Sequence, residues 1–117
     1  MCGIAGWVDW NRDLSLDRPI VARMTERLTA RGPDARGEWA TRHAAFGHRR
    51  LSVIDLSANA AQPMVFERDG RTWVIVYNGE LYNHRELRSE LETRGHRFRS
   101  ASDTEVLLHA YVEWGGA

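Results

Sequence analysis

Met1-Cys2-Gly3-Ile4-Ala5-Gly6-Trp7-Val8, residues 1–8, opens the chain with its only cysteine directly behind the initiator methionine. The apolar run of residues 4–8, bracketed by glycine and aspartate, predicts a short strand buried on both faces, which places Cys2 at the beginning of that strand. With Met1 removed, Cys2 carries a thiol and an α-amino group on one residue. Since free α-amino groups titrate near ~7.7–8.0 and free thiols near ~8.5, the amine can serve as base for the thiol. Taken alone, a lone cysteine is also typical of a small buried hydrophobe.

Composition excludes several classes of protein. The 117 residues are enough for one domain, and 16 basic residues balance 16 acidic ones, so no net field favours nucleic acid or an anionic membrane. A single cysteine cannot form an internal disulfide or a multi-cysteine zinc site, which fits a reducing compartment, and we expect the cytoplasm. The first residues lack the basic and apolar regions typical of a signal peptide, and no apolar stretch of ~18 residues occurs, so we expect neither a leader nor a membrane partner.

The first half of the chain predicts a helix and two strands. Asp17 followed by Pro19 signals a helix start, and the apolar residues of that helix are Ile20, Val21, Met24 and Leu28. Residues 31–34, Arg-Gly-Pro-Asp, are expected to end the helix, and residues 31–36 to form a mobile loop. Residues 39–41 and 44–48 then predict two strands joined by a tight turn, and residues 49–56 a strand end that runs into a loop.

The second half predicts a hairpin and two helices. Residues 64–66 and 72–77 form the hairpin, whose turn contains Asp69-Gly70. Two capping boxes start the helices, Asn83 with Glu86 and Ser102 with Glu105, and residues 96–99 predict a short strand between them. The apolar face expected for the last helix comprises Val106, Leu107, Ala110, Tyr111 and Trp114. Together these elements predict an α+β domain with helices packed against a mostly antiparallel sheet.

Charged and amide side chains supply candidates for a site that binds a free amino acid. The Arg50 guanidinium could hold an α-carboxylate bidentately and Asp103 an α-ammonium, although either residue could equally be a solvated surface charge. Asn78-Gly79 is either an ordinary turn or an oxyanion hole, made from a side-chain amide and a backbone N–H. Glu80 follows directly and could contact the amide end of a substrate.

Metal and nucleic-acid sites find no support in the sequence. The five histidines lack metal-ligand spacing, so we expect no metal. The five tryptophans are spread along the chain rather than clustered with arginines, which argues against a nucleic-acid partner and favours packing roles.

Six motifs in order resemble the glutamine amidotransferase domain of glutamine-hydrolysing asparagine synthetases. They are Met1-Cys2-Gly3-Ile4, Arg31-Gly32-Pro33-Asp34, Gly47-His48-Arg49-Arg50-Leu51-Ser52, Gln62-Pro63, Asn78-Gly79-Glu80-Leu81-Tyr82-Asn83 and Ser102-Asp103-Thr104-Glu105. Each motif alone is weak, whereas six in order are specific. One departure is residues 58–61, Ala-Asn-Ala-Ala, where the family has a glycine-containing approach to Gln62-Pro63, which affects the local turn.

The resemblance implies a fold and a reaction. The implied fold is that of the N-terminal-nucleophile (Ntn) hydrolases, a sandwich of antiparallel sheets covered by helices, of which we expect residues 1–117 to form the N-terminal part. By similarity, Cys2 attacks the side-chain amide of glutamine through a thioester, with Asn78 and Gly79 as the oxyanion hole. Residues 31–34 would belong to a loop that closes over the pocket. The residues implied to bind glutamine are Arg50, Leu51, Ser52, Val53, Ile54, Asn78, Gly79, Glu80 and Asp103.

The resemblance also implies partners outside these residues. In the full-length enzymes a C-terminal synthetase domain uses ATP and magnesium to activate aspartate, which the ammonia then amidates. We expect no cofactor in residues 1–117 themselves. Two alternatives stay open for function: the same chemistry serving another carboxylate acceptor, and a glutamine-binding remnant without turnover. For assembly, a homodimer is one open alternative.

Overall fold

The computed structural model describes residues 2–51 and 58–116. It confirms an α+β chain with antiparallel sheets, one of three strands in the order β1-β3-β2 and one of two strands, β4-β5. The elements are β1 (Gly3–Val8), α1 (Arg18–Glu26), β2 (Ala35–Ala40), β3 (Ala44–Arg50), β4 (Met64–Arg68), β5 (Arg71–Ile75), α2 (His84–Thr93) and α3 (Asp103–Trp114), with 3₁₀ turns at Leu14–Leu16 and Ala58–Ala60.

The chain divides into two compact units, and within the described residues the first contains 2–51, 61–63 and 76–78. In this unit α1 packs on the three-stranded sheet, with a core of Leu14, Val21 and Ala45. The helix approaches β3 so closely that a Cβ on Gly47 would lie 1.7 Å from Thr25 Oγ1. Only a residue without a side chain fits there, so the spacing between helix and sheet depends on Gly47.

Helix α1 begins where the sequence predicts, with Asp17 as its N-cap and Pro19 in its first turn. The prediction that it continues to residue 31 is wrong, because it ends at Glu26. Beyond that residue the chain is held by i→i−3 hydrogen bonds, such as Leu28 N–H to Thr25 O and Arg31 N–H to Leu28 O. Such bonds tighten the end of a helix and break its 3.6-residue repeat.

Two further expectations for the first unit are wrong. Strand β1 is not buried on both faces, since Ile4 is 47% exposed and Val8 is 56% exposed. Residues 31–36 are not one loop, because β2 already begins at Ala35. Arg36 pairs with Arg49 in the β2–β3 ladder, and its guanidinium binds the carboxylate of Glu26 at 2.6 Å. The predicted strand over residues 44–48 is confirmed and lies within β3. The predicted strand over residues 39–41 covers only the end of β2, which begins four residues earlier and ends at Ala40.

The second unit contains β4, β5, α2 and α3. Its hairpin confirms the predicted turn, with φ of 52° at Asp69 and 77° at Gly70, the left-handed values of a two-residue hairpin loop. Strand β5 ends at Ile75, two residues earlier than predicted. Helix α2 begins directly after Asn83 and ends at Thr93, but the predicted capping box is wrong, since the Asn83 side chain makes no capping hydrogen bond.

The segment before α3 differs from the predicted strand over residues 96–99. The Arg99 and Ser100 N–H groups both donate to the Glu105 carboxylate at 2.9 Å, which replaces the bonds of a strand ladder. Ser102 does cap α3, by accepting from the Thr104 N–H at 3.1 Å. The second capping box is therefore only half present, since the Glu105 carboxylate holds the preceding loop.

The predicted apolar face of α3 is wrong in its C-terminal half. Tyr111 and Trp114 are exposed, whereas the buried residues of the helix include Leu108 and His109 beside Val106. The helix contacts both α2 and the β4–β5 hairpin. Burial of polar His109 shifts the packed face away from the one that apolar residues alone indicate.

Candidate active site

Cys2 lies one residue before β1, as predicted. Its Sγ accepts a hydrogen bond from the Leu51 N–H at 3.2 Å and lies 3.5 Å from the Leu51 carbonyl oxygen. The antiparallel pairing of Gly3 with Arg49 brings the start of β1 beside the end of β3. The thiol is half-buried, and its position is therefore set by the main chain just beyond β3.

Arg50 is the last residue of β3 and is 9% exposed. Its carbonyl oxygen accepts from the Asp34 N–H at 2.9 Å, and the neighbouring Arg49 Nε donates to the Gly32 carbonyl at 3.0 Å. A Cβ on Gly32 would lie 2.2 Å from the Arg49 main chain, so only glycine allows this approach. The Arg-Gly-Pro-Asp segment is thus bonded to the strand end that carries Arg50.

Asn78 is exposed and belongs to the same unit as Cys2. The residue before it, Tyr77, donates its N–H to Gln62 Oε1 at 2.6 Å. The His48 ring is 1% exposed, and burial lowers its pKa. The Tyr77 backbone acts in the opposite direction on that pKa, while the positive charge of Arg50 adds to the lowering. His48 is therefore a neutral side chain at neutral pH.

The remaining candidates that the structure describes lie in the second unit. Gly79 and Glu80 are exposed in the loop before α2. Asp103 is the first residue of α3 and is buried, and its Oδ2 accepts the Leu81 N–H at 2.9 Å. The carboxylate predicted to bind an ammonium group thus also fixes the main chain next to Glu80.

The structure brings the candidates together in two sets. Cys2, Arg50, Leu51 and Asn78 share the first unit, and Gly79, Glu80 and Asp103 share the second. Ser52, Val53 and Ile54 lie outside the described residues. The sequence predicts no role for His48 or Gln62, and the only signal for either residue is its position inside one of the six motifs.

A second group of buried titratable side chains lies in the second unit. His96 Nδ1 and His109 Nδ1 are 2.8 Å apart, so one proton lies between the two rings. On the outer side of the pair, His96 Nε2 is 3.1 Å from Glu113 Oε1. On the opposite side of the pair, His109 Nε2 is 3.8 Å from Glu105 Oε2. Phe66 packs on the His109 ring, with the centroids 4.5 Å apart.

This environment disfavours a positive charge on His109. The pKa of His109 is lowered from 6.5 to about 4, first by burial and then by the neighbouring His96. The Glu105 carboxylate opposes the change, while Arg68 and Arg88 add to it. The structure therefore holds His109 neutral well below the pH at which an exposed histidine takes up a proton.

The described residues contain neither a metal-binding cluster nor a membrane-spanning helix. Across residues 2–51 and 58–116, no three His, Cys, Asp or Glu side chains are placed to hold a metal ion together. In the same part of the chain, none of the helices has the length and apolar character needed to cross a membrane.

Comparison with known proteins gives consistent matches along the chain. A family model described as a glutamine amidotransferase domain matches residues 1–117. Asparagine synthetase [glutamine-hydrolyzing] 3 of Bacillus subtilis is 51% identical over 97% of the chain and 18% of the relative. Asparagine synthetase [glutamine-hydrolyzing] 1 of Arabidopsis thaliana is 42% identical over 98% and 19%, and asparagine synthetase B [glutamine-hydrolyzing] of Escherichia coli is 38% identical over 98% and 20%. The chain thus spans about a fifth of the length of these relatives.

Proposed function

Because this chain belongs to the family of glutamine amidotransferase domains, we propose that it releases ammonia from the side-chain amide of glutamine with Cys2 as nucleophile. The observation that carries the proposal is the 3.2 Å contact between the Leu51 N–H and Cys2 Sγ. This contact holds the sulfur beside Leu51, the residue after Arg50, in the unit that also contains Asn78. The thiolate is the reactive form of cysteine, and an N–H directed at the sulfur fixes where that charge would lie.

The proposed reaction begins when the initiator methionine is removed. The α-amine of Cys2 takes the thiol proton, and the sulfur attacks the amide carbon of glutamine to form a C–S bond. The carbonyl oxygen becomes an oxyanion, which the Asn78 side-chain amide and the Gly79 N–H are proposed to stabilise. The C–N bond then breaks, and the amine returns its proton to the leaving nitrogen, which departs as ammonia. Water hydrolyses the remaining thioester to glutamate and restores the thiol.

Substrate recognition is proposed to use charges of both signs. The Arg50 guanidinium suits the α-carboxylate of glutamine, since it can bind a carboxylate through two parallel hydrogen bonds. Asp103 suits the α-ammonium, because a carboxylate has about four lone-pair sites and can hold an ammonium while it accepts the Leu81 N–H. We place Glu80 and the main chain of residues 51–54 in the same binding role.

For the whole protein we propose an asparagine synthetase, in line with the printed names of the relatives. A C-terminal synthetase domain of the same chain would use ATP and magnesium to activate aspartate, and the ammonia released here would amidate it. An N-terminal-nucleophile hydrolase sandwich is the fold proposed for the complete amidotransferase domain. A cytoplasmic location fits the single free cysteine, and a homodimer is the assembly to be tested.

The test is glutamine hydrolysis by the full chain after methionine removal, with the new N-terminus verified by mass spectrometry. We expect release of ammonia and glutamate in equal amounts, and no release from Cys2→Ala. A variant with one extra residue before Cys2 should also be inactive, because its α-amine no longer lies on the nucleophilic residue. A matched control, Ser15→Ala, replaces an exposed residue of the 3₁₀ turn at Leu14–Leu16 and should keep full activity.

The outcomes separate the open alternatives. Activity that survives the extra residue would contradict the role of the amine as base. Glutamine binding by calorimetry without ammonia release would identify a binding remnant instead of an enzyme. Asparagine formation by the full-length protein, tested against other carboxylate acceptors, would identify the acceptor.

A further inference from the structure

Gln62 links the main chain next to Asn78 to the sheet that carries Cys2. Its side-chain Oε1 accepts the Tyr77 N–H at 2.6 Å. Since Tyr77 offers a donor at this point, the amide of Gln62 must turn its oxygen, not its nitrogen, toward it. The bond is made just beyond β5, where residues 76–78 have left the β4–β5 ladder and no strand pairing holds their N–H groups in place.

The main chain of Gln62 is itself fixed against β2. A Cβ on Gly37 would lie 1.8 Å from the Gln62 carbonyl oxygen and 2.8 Å from its carbonyl carbon. Gly37 pairs with His48 of β3, and His48 pairs with Ile4 of β1, so this contact reaches a fully paired part of the three-stranded sheet. The acceptor offered to Tyr77 therefore comes from a residue with little freedom to move.

His48 approaches the same main chain from β3. Its ring is buried in the first unit, and the Tyr77 backbone lies close enough to affect its pKa. Two side chains of the first unit thus act on the Tyr77 backbone. Gln62 accepts its hydrogen bond, and the buried His48 ring lies close to it. Tyr77 immediately precedes Asn78, so the placement of the Tyr77 main chain limits where the Asn78 side-chain amide can point.

We propose that Gln62 is a positioning residue for the amide hydrolysis, and that it acts by holding the Tyr77 main chain so that Asn78 faces the oxyanion. This inference rests on the proposed function. An oxyanion donor acts on charge that develops in the transition state, so its misplacement lowers kcat and leaves KM nearly unchanged. Complete loss of one such donor costs about 10²- to 10³-fold in kcat, and we expect a partial loss, about 10- to 100-fold, when only its support is removed.

The kinetic test compares three substitutions at Gln62 in the full, methionine-processed chain. Gln62→Leu removes the acceptor at similar size and should lower kcat about 10- to 100-fold with KM changed less than about threefold. Gln62→Glu keeps an acceptor at the same reach and should retain kcat within about threefold. Gln62→Asn withdraws the acceptor by one methylene and should behave like the leucine variant. Asn59→Leu, which alters an exposed amide shortly before Gln62, is the matched control and should not change kcat.

A second readout does not depend on turnover. Amide hydrogen exchange measured by NMR should show Tyr77 protected in the parent chain and exchanging about tenfold faster in Gln62→Leu, as expected for the loss of one hydrogen bond. The Asn78 side-chain amide signals should move in Gln62→Leu and Gln62→Asn and stay in place in Gln62→Glu. If Gln62→Leu does not fold, Gln62→Asn supplies the same comparison.

Two results would overturn the inference. One is unchanged protection of Tyr77 in the variants without the acceptor. The other is lost protection with an unchanged kcat, since Gln62 would then order the chain without positioning Asn78. If the parent chain releases no ammonia, the proposed function fails separately, while the exchange rates and the Asn78 signals still decide whether Gln62 positions this segment.

Discussion

Lowering the pH should destabilise this protein through one buried side chain, His109. In the unfolded chain a histidine takes up its proton near pH 6.5, whereas in the structure the pKa of His109 is lowered to about 4, first by burial and then by His96. Between these values the unfolded state binds more protons than the folded state. The free energy of unfolding therefore falls as the pH falls through this range. The full contribution of neutral His109 to the free energy of unfolding is present above pH 6.5 and is lost as the pH approaches 4.

The magnitude follows from the two pKa values. At about 1.4 kcal/mol per tenfold change in proton affinity, the loss of stability reaches about 2 to 3 kcal/mol at pH 4.5. Glu113 on α3 contacts the neighbouring His96, and the charged groups that act on His109 itself are Glu105 on α3, Arg68 from β4 and Arg88 from α2. Their combined effect is already contained in the lowered pKa.

The assay is urea unfolding at several pH values between 7.5 and 4.5. His109→Asn keeps a polar atom near the Nδ1 position that contacts His96 but cannot take up the proton. This variant should lose about 2 to 3 kcal/mol less than the parent protein over the same range. His43→Asn, a half-buried histidine of the other unit, is the matched control and should follow the parent curve. Equal slopes for the parent and His109→Asn would refute the reasoning, because another group would then bind the extra proton.

Three further predictions rest on single contacts. Gly47→Ala places a Cβ 1.7 Å from Thr25 Oγ1 and should lower the free energy of unfolding by about 1 to 3 kcal/mol, measured by urea unfolding; an unchanged midpoint would show that α1 can move away at no cost. Leu91→Ala removes a side chain that is 0% exposed and should cost about 2 to 5 kcal/mol by the same measurement, and a loss below 1 kcal/mol would contradict its place in the packed interior. Asp103→Asn keeps an acceptor for the Leu81 N–H but removes the charge, so KM for glutamine should rise about 10- to 100-fold with little change in melting temperature; an unchanged KM would exclude Asp103 from ammonium binding.

The sequence predicts elements whose signals are local. The Asp69-Gly70 turn fixes a hairpin because both residues accept positive φ, and the structure has that turn. Pro19 and Asp17 likewise locate the start of α1. Helix ends and faces are predicted less well. The end of α1 depends on i→i−3 hydrogen bonds, and the buried face of α3 depends on His109, whose partner His96 is 13 residues away.

The candidate site shows the same difference between local signals and contacts of distant residues. The six ordered motifs single out Cys2, Arg50 and Asp103, because their side chains carry charge or a nucleophile. Gln62 carries neither, and its bond to Tyr77 joins residues 15 apart in sequence. Only the folded chain brings an acceptor to that N–H, so no pattern of residue types reveals it.

The contacts that fix Cys2 determine which substitutions can be accepted at position 51. Both atoms of Leu51 that meet the sulfur belong to the peptide backbone, and the side chain at position 51 is 37% exposed. Selection for the nucleophile's placement therefore acts on the path of the chain and not on the identity of residue 51. Many amino acids could be exchanged there among related proteins without cost, whereas proline, which has no N–H to offer, should be absent.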